Sequence, residues 1–175
     1  AELGAEPGMV ASGWAFLNEP LEDAWGRSAS MLRAIAEHAG ERGVRLVLEA
    51  LQPVESIIVN SAADTKRMIE AVDHPALKAC LDMGAMAVAG DTIDDYFDLL
   101  GDDVAHVHFV DVAADGTTHL AWGDGDRDMR ADLDRLVARG YCGVVSAETY
   151  DGRYFADPAA ADAQVMAEYR RAIGA

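Results

Sequence analysis

Two short stretches decide the fold: LKACLD at Leu77–Asp82 and VAHVHFVD at residues 104–111. Each is an apolar run of strand length that ends in a polar side chain. Similar short apolar runs occupy residues 9–12, 44–49 and 143–148. Runs of this length and composition are typical of β-strands, so we predict five strands.

Longer amphipathic stretches separate the predicted strands and indicate helices. They cover residues 20–43, Ala62–Val72, residues 92–100, Met129–Ala138 and Pro158–Ile173. Strict alternation of strand and helix is typical of parallel β-α-β units. Two α/β architectures fit this order, an open doubly wound sheet and a (β/α) barrel. No strand is followed by G-x-G-x-x-G or by a phosphate loop, which argues against a nucleotide-binding sheet.

Length and charge restrict the function classes. The 175 residues fit a single domain over residues 1–175. Fourteen Lys and Arg against 31 Asp and Glu give a net charge of −17, which disfavours nucleic acid and anionic membranes as partners. We see no membrane-spanning stretch and no leader, so we expect a cytoplasmic protein. Cys80 and Cys142 are too few for a disulfide framework, and we expect both to be reduced thiols in the core.

Polar residues collect at one end of the predicted strands. Period-two alternation leaves one strand face for packing under helices, and the other face ends in a side chain able to bind metal. The four side chains are Glu49, Asp82, His108 and Glu148. In parallel barrels, catalytic residues gather at the carboxyl ends of the strands. Each residue alone has a structural explanation, but four in phase predict a site for Mn²⁺, Mg²⁺, Co²⁺ or Zn²⁺.

Four segments carry a family resemblance: LEALQPVES at 48–56, CLDMGA at 80–85, HVHFVD at 106–111 and SAETY at 146–150. They resemble the xylose isomerase-like barrels, the sugar phosphate isomerase/epimerase superfamily. The spacing of Glu49, Asp82 and His108 is similar to that of the ketose 3-epimerases, including those that act on fructoselysine. The resemblance implies a (β/α)8 TIM barrel of which this chain holds the last five β-α units.

The resemblance also implies a chemistry. Glu49, Asp82, His108 and Glu148 would hold one divalent ion, with Mn²⁺ expected first and Co²⁺, Mg²⁺, Zn²⁺ or Ni²⁺ as alternatives. Glu49 and Glu148 would act as acid and base and invert C3 of a ketose or fructosamine through a cis-enediolate. Glu55 matches a substrate-binding glutamate of the family.

Two further residues are expected to contact the sugar. His119 lies in the loop after the strand at 104–111, and the ring of Trp14 suits the C–H surface of a sugar. Ala85 and Ala114 stand where the tagatose-type epimerases have a histidine and an arginine that hold the end of a free ketose. A substrate substituted at that end, such as a fructosamine, therefore fits better than a simple ketohexose.

Two alternatives stay open. The first is a metal-dependent lyase on the same scaffold, similar to the catalytic subunit of a C-glycoside deglycosidase or to an inosose dehydratase. The second is an incomplete barrel that serves as a non-catalytic subunit. Solvent deuterium at C3 would favour epimerisation, whereas release of an aglycone or of water would favour elimination.

The number of strands raises the question of how the barrel closes. A barrel of this type needs eight strands, and an open arc of five exposes unpaired edges. The opening residues 1–5, AELGA, are typical of the last turn of a helix. We therefore expect a preceding segment of the parent protein, or another chain such as a homo-oligomer partner, to complete the barrel.

Overall fold

The computed structural model describes residues 2, 4 and 7–174. Five strands form one sheet in the order β1-β2-β3-β4-β5, and each neighbouring pair is parallel. The strands are β1 Gly8–Ala11, β2 Leu46–Glu49, β3 Leu77–Asp82, β4 Val104–His108 and β5 Val145–Ser146. A doubly wound sheet reverses its strand order near the centre, and this sheet does not. The architecture is therefore an arc of a (β/α) barrel, as predicted.

Helices follow the strands and cover one face of the sheet. They are α1 Leu21–Gly40, α2 Ala62–Val72, α3 Met83–Ala89, α4 Ile93–Leu100, α5 Met129–Ala138 and α6 Pro158–Ile173, with short 3₁₀ turns at Gly101–Asp103 and Gly152–Tyr154. Side-chain caps define several helix starts, for example Ser61 at α2 and the reciprocal Thr92–Asp95 capping box at α4. Among the described helices, none has both the length and the apolarity to cross a membrane.

Alternate residues of the strands pack in the core against the helices, as expected. Leu46 and Leu48 of β2 pack in one apolar cluster with the inward faces of α1 and α2. Leu81 and Val107 pack in a second cluster with α4 and α5. Because these side chains point towards the helices, the alternate residues of the same strands are left for the opposite face of the sheet.

The structure corrects the predicted strand boundaries. β1 lies one residue earlier than predicted, and β2 begins at Leu46. The strand expected at 104–111 ends at His108, because the backbone of Asp111 pairs instead with Leu120 in an antiparallel bridge. The strand expected at 143–148 keeps only Val145–Ser146. In the described part of the chain β5 pairs with β4 alone, so few backbone hydrogen bonds hold it extended.

Three further comparisons with the sequence-based expectations concern helix α3, the two cysteines and the predicted helix end at residues 1–5. Helix α3 was not predicted; it begins directly after Asp82, whose side chain caps it, and ends at Gly90 in the left-handed conformation. The prediction of two core thiols holds for Cys80 and is wrong for Cys142, which is exposed. Residues 1, 3 and 5 of the predicted helix end lie outside the described residues.

The long loop between β4 and α5 is organised by one buried carboxylate. Asp111 is 1% exposed and accepts backbone N–H hydrogen bonds of 2.8–3.2 Å from four loop residues. The donors are Val112, Gly123, Gly125 and Arg127. Gly125 has to lack a side chain here, because an added Cβ would overlap the Asp111 carboxylate. The loop that carries His119 is therefore built around Asp111.

We predict that Asp111→Asn destabilises the protein. The amide replaces one acceptor oxygen with an N–H₂ group that faces backbone donors, so we expect the free energy of unfolding to fall by about 3 kcal/mol. Urea denaturation measures the change, with Asp162→Asn on the exposed face of α6 as the matched control. Equal stability of the two variants would contradict this account of the loop.

Candidate active site

Four side chains converge at the carboxyl end of the sheet. Glu49, Asp82 and His108 are the last residues of β2, β3 and β4, and Glu148 lies two residues beyond β5. One donor atom from each lies within 4.8 Å of the others. His108 Nδ1 is 2.7 Å from Glu49 Oε1, 2.8 Å from Glu148 Oε2 and 3.5 Å from Asp82 Oδ2. The structure thus brings together all four residues predicted to bind metal.

The register of the sheet explains this convergence. Asp82 is the partner of His108 across the β3–β4 pair, and a register shift places one extra residue, Ala105, in β4. Because a slip of one residue turns every following side chain to the other face, this irregularity sets which side of the sheet His108 faces. Glu49 is the partner of Cys80, which lies two residues before Asp82 on the same face of β3. The longer glutamate side chain reaches up from that position to the level of Asp82.

The two oxygens of Asp82 have separate tasks. Oδ1 accepts the Ala85 backbone N–H at 2.6 Å and caps α3. Oδ2 is buried and, among the described residues, has no hydrogen-bond partner, and the same is true of His108 Nδ1. The contacts between His108 Nδ1 and the surrounding oxygens are close but are not aligned as hydrogen bonds.

This donor set fits a divalent cation. Asp82, His108 and Glu49 are 1%, 5% and 8% exposed, and buried carboxylate charge that one imidazole cannot fully balance is costly. Carboxylate oxygens with one imidazole suit Mn²⁺, Mg²⁺, Co²⁺ or Zn²⁺, and an ion at their centre would satisfy the two unpartnered atoms. A divalent cation fits here because two buried polar atoms lack a hydrogen-bond partner and because the donor atoms are of the types that such ions bind.

The protonation of the cluster reflects burial and mutual contact. Burial raises the pKa of Glu49. Burial acts in the same direction on Asp82, but contacts with His108 and His119 outweigh it and hold the pKa of Asp82 at about 2. Burial lowers the pKa of His108, and the surrounding acidic groups raise it far more, so its pKa lies well above the usual range. The charges of Glu49, Asp82 and His108 therefore depend on one another.

A second group of polar side chains adjoins the first. His119 is 4% exposed, and its Nε2 lies 3.5 Å from Asp82 Oδ2 and 3.8 Å from Glu148 Oε2. Its ring lies against that of Tyr150, with centroids 4.0 Å apart. Tyr150 donates a hydrogen bond of 2.9 Å to Glu55 Oε1, which joins the loop after β2 to the loop after β5. Gln52 donates its backbone N–H to the other Glu55 oxygen at 2.9 Å.

The backbone around His119 is tightly constrained. Its own φ is +56°, a left-handed conformation that non-glycine residues seldom adopt. Its Nδ1 lies 3.0 Å from Thr118 Oγ1. An added Cβ at Gly84 in α3 would lie 3.0 Å from the His119 ring, so a side chain there would push against the imidazole. The imidazole is thus held against the four-residue cluster from two sides.

The remaining predicted site residues are placed as follows. Glu55 and His119 line the small cavity beside the cluster, and both remain predicted substrate contacts. Trp14 lines a different cavity, with Ser12, Arg27 and Met31, and is 55% exposed. The structure therefore does not bring Trp14 to the cluster. Sequence analysis missed Tyr150, although its position two residues after Glu148 was a usable signal.

Fold and site together define the class. Parallel strands in sequential order, with ionisable side chains at their carboxyl ends, make this chain part of a β/α barrel with a site at the usual end. The chain matches the model of the xylose isomerase-like TIM barrel family over residues 1–172 and belongs to that family.

Two relatives and one solved structure are similar to this chain. The chain is 33% identical over 147 residues to fructoselysine 3-epimerase of Escherichia coli O157:H7, covering 84% of this chain and 54% of the relative. It is 32% identical over 136 residues to 3-dehydroshikimate dehydratase of Pseudomonas putida, covering 73% of this chain and 21% of the relative. The structure of a xylose isomerase domain protein from Alicyclobacillus acidocaldarius aligns with TM-score 0.79 and 26% identity, covering 98% of this chain and 65% of that one. The chain thus spans about half the length of the epimerase relative.

We predict that the four-residue cluster binds one divalent ion per chain. Asp82→Asn and Glu148→Gln each remove one carboxylate donor, and we expect Mn²⁺ affinity to fall by about 10-fold or more in each variant. Isothermal titration calorimetry measures the affinity, with Asp162→Asn and Glu37→Gln on exposed helix faces as matched controls. Unchanged Mn²⁺ affinity in both cluster variants would show that the ion binds elsewhere.

Proposed function

We propose that this chain carries the catalytic centre of a divalent-metal-dependent sugar epimerase that inverts C3 of a ketose or fructosamine. The observation that carries the proposal is the convergence of Glu49, Asp82, His108 and Glu148 on one point. The relationship to fructoselysine 3-epimerase supports the reaction class and favours a fructosamine. Mn²⁺ is the proposed ion, with Co²⁺, Mg²⁺, Zn²⁺ or Ni²⁺ as alternatives.

The topology gives the two glutamates complementary positions. Glu49 is the last residue of β2 and Glu148 lies two residues beyond β5, with β3 and β4 between them. Glu49 and Glu148 therefore reach His108 from two different parts of the sheet, at 2.7 and 2.8 Å from its Nδ1. A sugar carbon held between two such carboxylates loses its proton to one and regains a proton from the other on the opposite face. That sequence of steps inverts the carbon.

The other residues hold and polarise the substrate. A divalent ion at the cluster would stabilise the negative charge that develops on the sugar oxygens when the C3 proton leaves. Asp82 and His108 would hold this ion. His119, with its ring packed on Tyr150, lies where it can donate a hydrogen bond to a substrate oxygen. Glu55 would accept hydrogen bonds from hydroxyls farther along the sugar.

The activity belongs to a complete barrel. β1 and β5 are the two ends of the five-strand sheet, and each pairs on one side only within the described residues. We propose that three further β-α units close the barrel, supplied by the parent protein or by another chain. All four cluster residues lie within this chain. A cytoplasmic location remains a prediction.

The decisive experiment measures proton exchange at C3. Purified, metal-loaded protein is incubated in D₂O with fructoselysine, and with ketohexoses for comparison, and deuterium at C3 is followed by NMR. We expect exchange with wild type, and a rate at least about 100-fold lower for Glu49→Gln and Glu148→Gln, because each removes one acid–base group. Glu37→Gln is the matched control, and the ion content of each variant is measured alongside.

A second candidate function follows from one relative. The similarity to 3-dehydroshikimate dehydratase favours elimination as the alternative outcome of the same proton abstraction. Loss of water or of an aglycone, without deuterium in recovered substrate, would support this lyase and contradict the epimerase. Wild type that binds its ion and gives neither reaction would support a non-catalytic barrel subunit.

The contact between Glu55 and Tyr150 gives a separate prediction. Glu55→Gln removes a charged acceptor outside the four-residue cluster, so we expect KM to rise by about 10-fold with little change in kcat. Tyr150→Phe keeps the ring on His119 and removes the hydroxyl, so we expect a smaller rise. Steady-state kinetics measure both parameters. A loss confined to kcat would show that Glu55 acts in the chemical step instead.

A further inference from the structure

We propose that Cys80, Glu49 and His108 form a second donor set in which thiophilic divalent cations such as Cd²⁺ bind below the four-residue cluster. This inference deepens the proposed function and rests on its metal centre. Nothing in the epimerase chemistry outlined above uses Cys80.

The sheet places the thiol beside the cluster. Cys80 is the direct partner of Glu49 across the β2–β3 pair, and it precedes Asp82 by two residues on the same strand face. Donor atoms of Cys80, Glu49 and His108 all lie within 4.8 Å of one another. Cys80 is completely buried, so its thiol is not exposed on the surface of the described structure.

A second observation points to a ligand at this place. His108 is only 5% exposed, and its Nδ1 has no hydrogen-bond partner among the described residues. His108 belongs to both donor sets. A cation bound to it has a choice between the oxygens of Asp82 and Glu148 above and the sulfur of Cys80 below.

The nature of the cation decides between the two sets. Thiolate sulfur selects soft cations, whereas carboxylate oxygen suits Mn²⁺ and Mg²⁺. When a soft cation binds, the S–H bond of Cys80 breaks, its proton leaves to solvent and the electron pair stays on sulfur as the donor pair. No oxidation or reduction takes place. Mn²⁺ keeps the oxygen-rich cluster and leaves the thiol protonated.

The two donor sets exclude each other. Both need Glu49 and His108, so one chain holds either Mn²⁺ at the cluster or Cd²⁺ in the deeper set. A cation drawn towards Cys80 leaves Asp82 and Glu148 behind. We therefore expect Cd²⁺ to displace Mn²⁺ at one ion per chain and to give protein that does not exchange the C3 proton.

The test uses the cations themselves and an optical readout. Cd²⁺ is titrated into wild type, and sulfur-to-cadmium charge transfer is recorded as ultraviolet absorbance. We expect a band that saturates at one Cd²⁺ per chain, is absent in Cys80→Ser and persists in the matched control Cys142→Ser, whose thiol is exposed. In Cys80→Ser we expect Cd²⁺ affinity to fall by about 10-fold or more, with Mn²⁺ affinity nearly unchanged.

The outcomes separate the inference from the proposed function. Wild type that binds one Cd²⁺ without the band, or a band that Cys142→Ser removes, overturns the second donor set and leaves the Mn²⁺ site intact. Wild type that binds neither Mn²⁺ nor Cd²⁺ overturns both. Retained Mn²⁺ affinity shows that Cys80→Ser is folded, and Cys80→Ala replaces it if the serine disrupts the core.

Discussion

The parallel register between β3 and β4 is the constraint on which the rest of the site depends. It places Asp82 beside His108, and the extra residue in β4 turns His108 to the same face of the sheet. Carboxylates from the strands on either side then meet around one imidazole. Without that register, Glu49 and Glu148 would be two separate acidic residues. With it, they belong to one centre whose excess negative charge the proposed cation would balance.

Much of the fold and the core of the site were predictable from sequence. Period-two alternation is a direct consequence of strand geometry, so a common strand face for Glu49, Asp82, His108 and Glu148 could be predicted without coordinates, although the strand at 104–111 was expected to continue past His108. The family resemblance added Glu55 and favoured the barrel over the doubly wound sheet. The matched helices α2, α5 and α6 have clear amphipathic patterns and were predicted with their observed bounds.

What sequence reasoning missed depends on contacts between distant residues. The path of the loop after β4 follows from hydrogen bonds between Asp111 and residues up to 16 positions away, which no local pattern reveals. The contact between Tyr150 and Glu55 spans 95 positions. Trp14 was expected at the site because of its residue type alone, and loop geometry places its ring in another cavity. Residue type and spacing predict which side chains lie on each face of a strand. They do not predict the conformation of the loops.

The double use of Asp82 would couple helix formation to binding of the proposed ion. One oxygen holds the first turn of α3 through the Ala85 amide, and the other faces the cluster. A cation that fixes the second oxygen also fixes the first, since both belong to one planar carboxylate. Folding of α3 and binding of the proposed ion would therefore be thermodynamically linked, and each would lower the entropic cost of the other. The helix start that terminates β3 is thus also part of the energetics of the site.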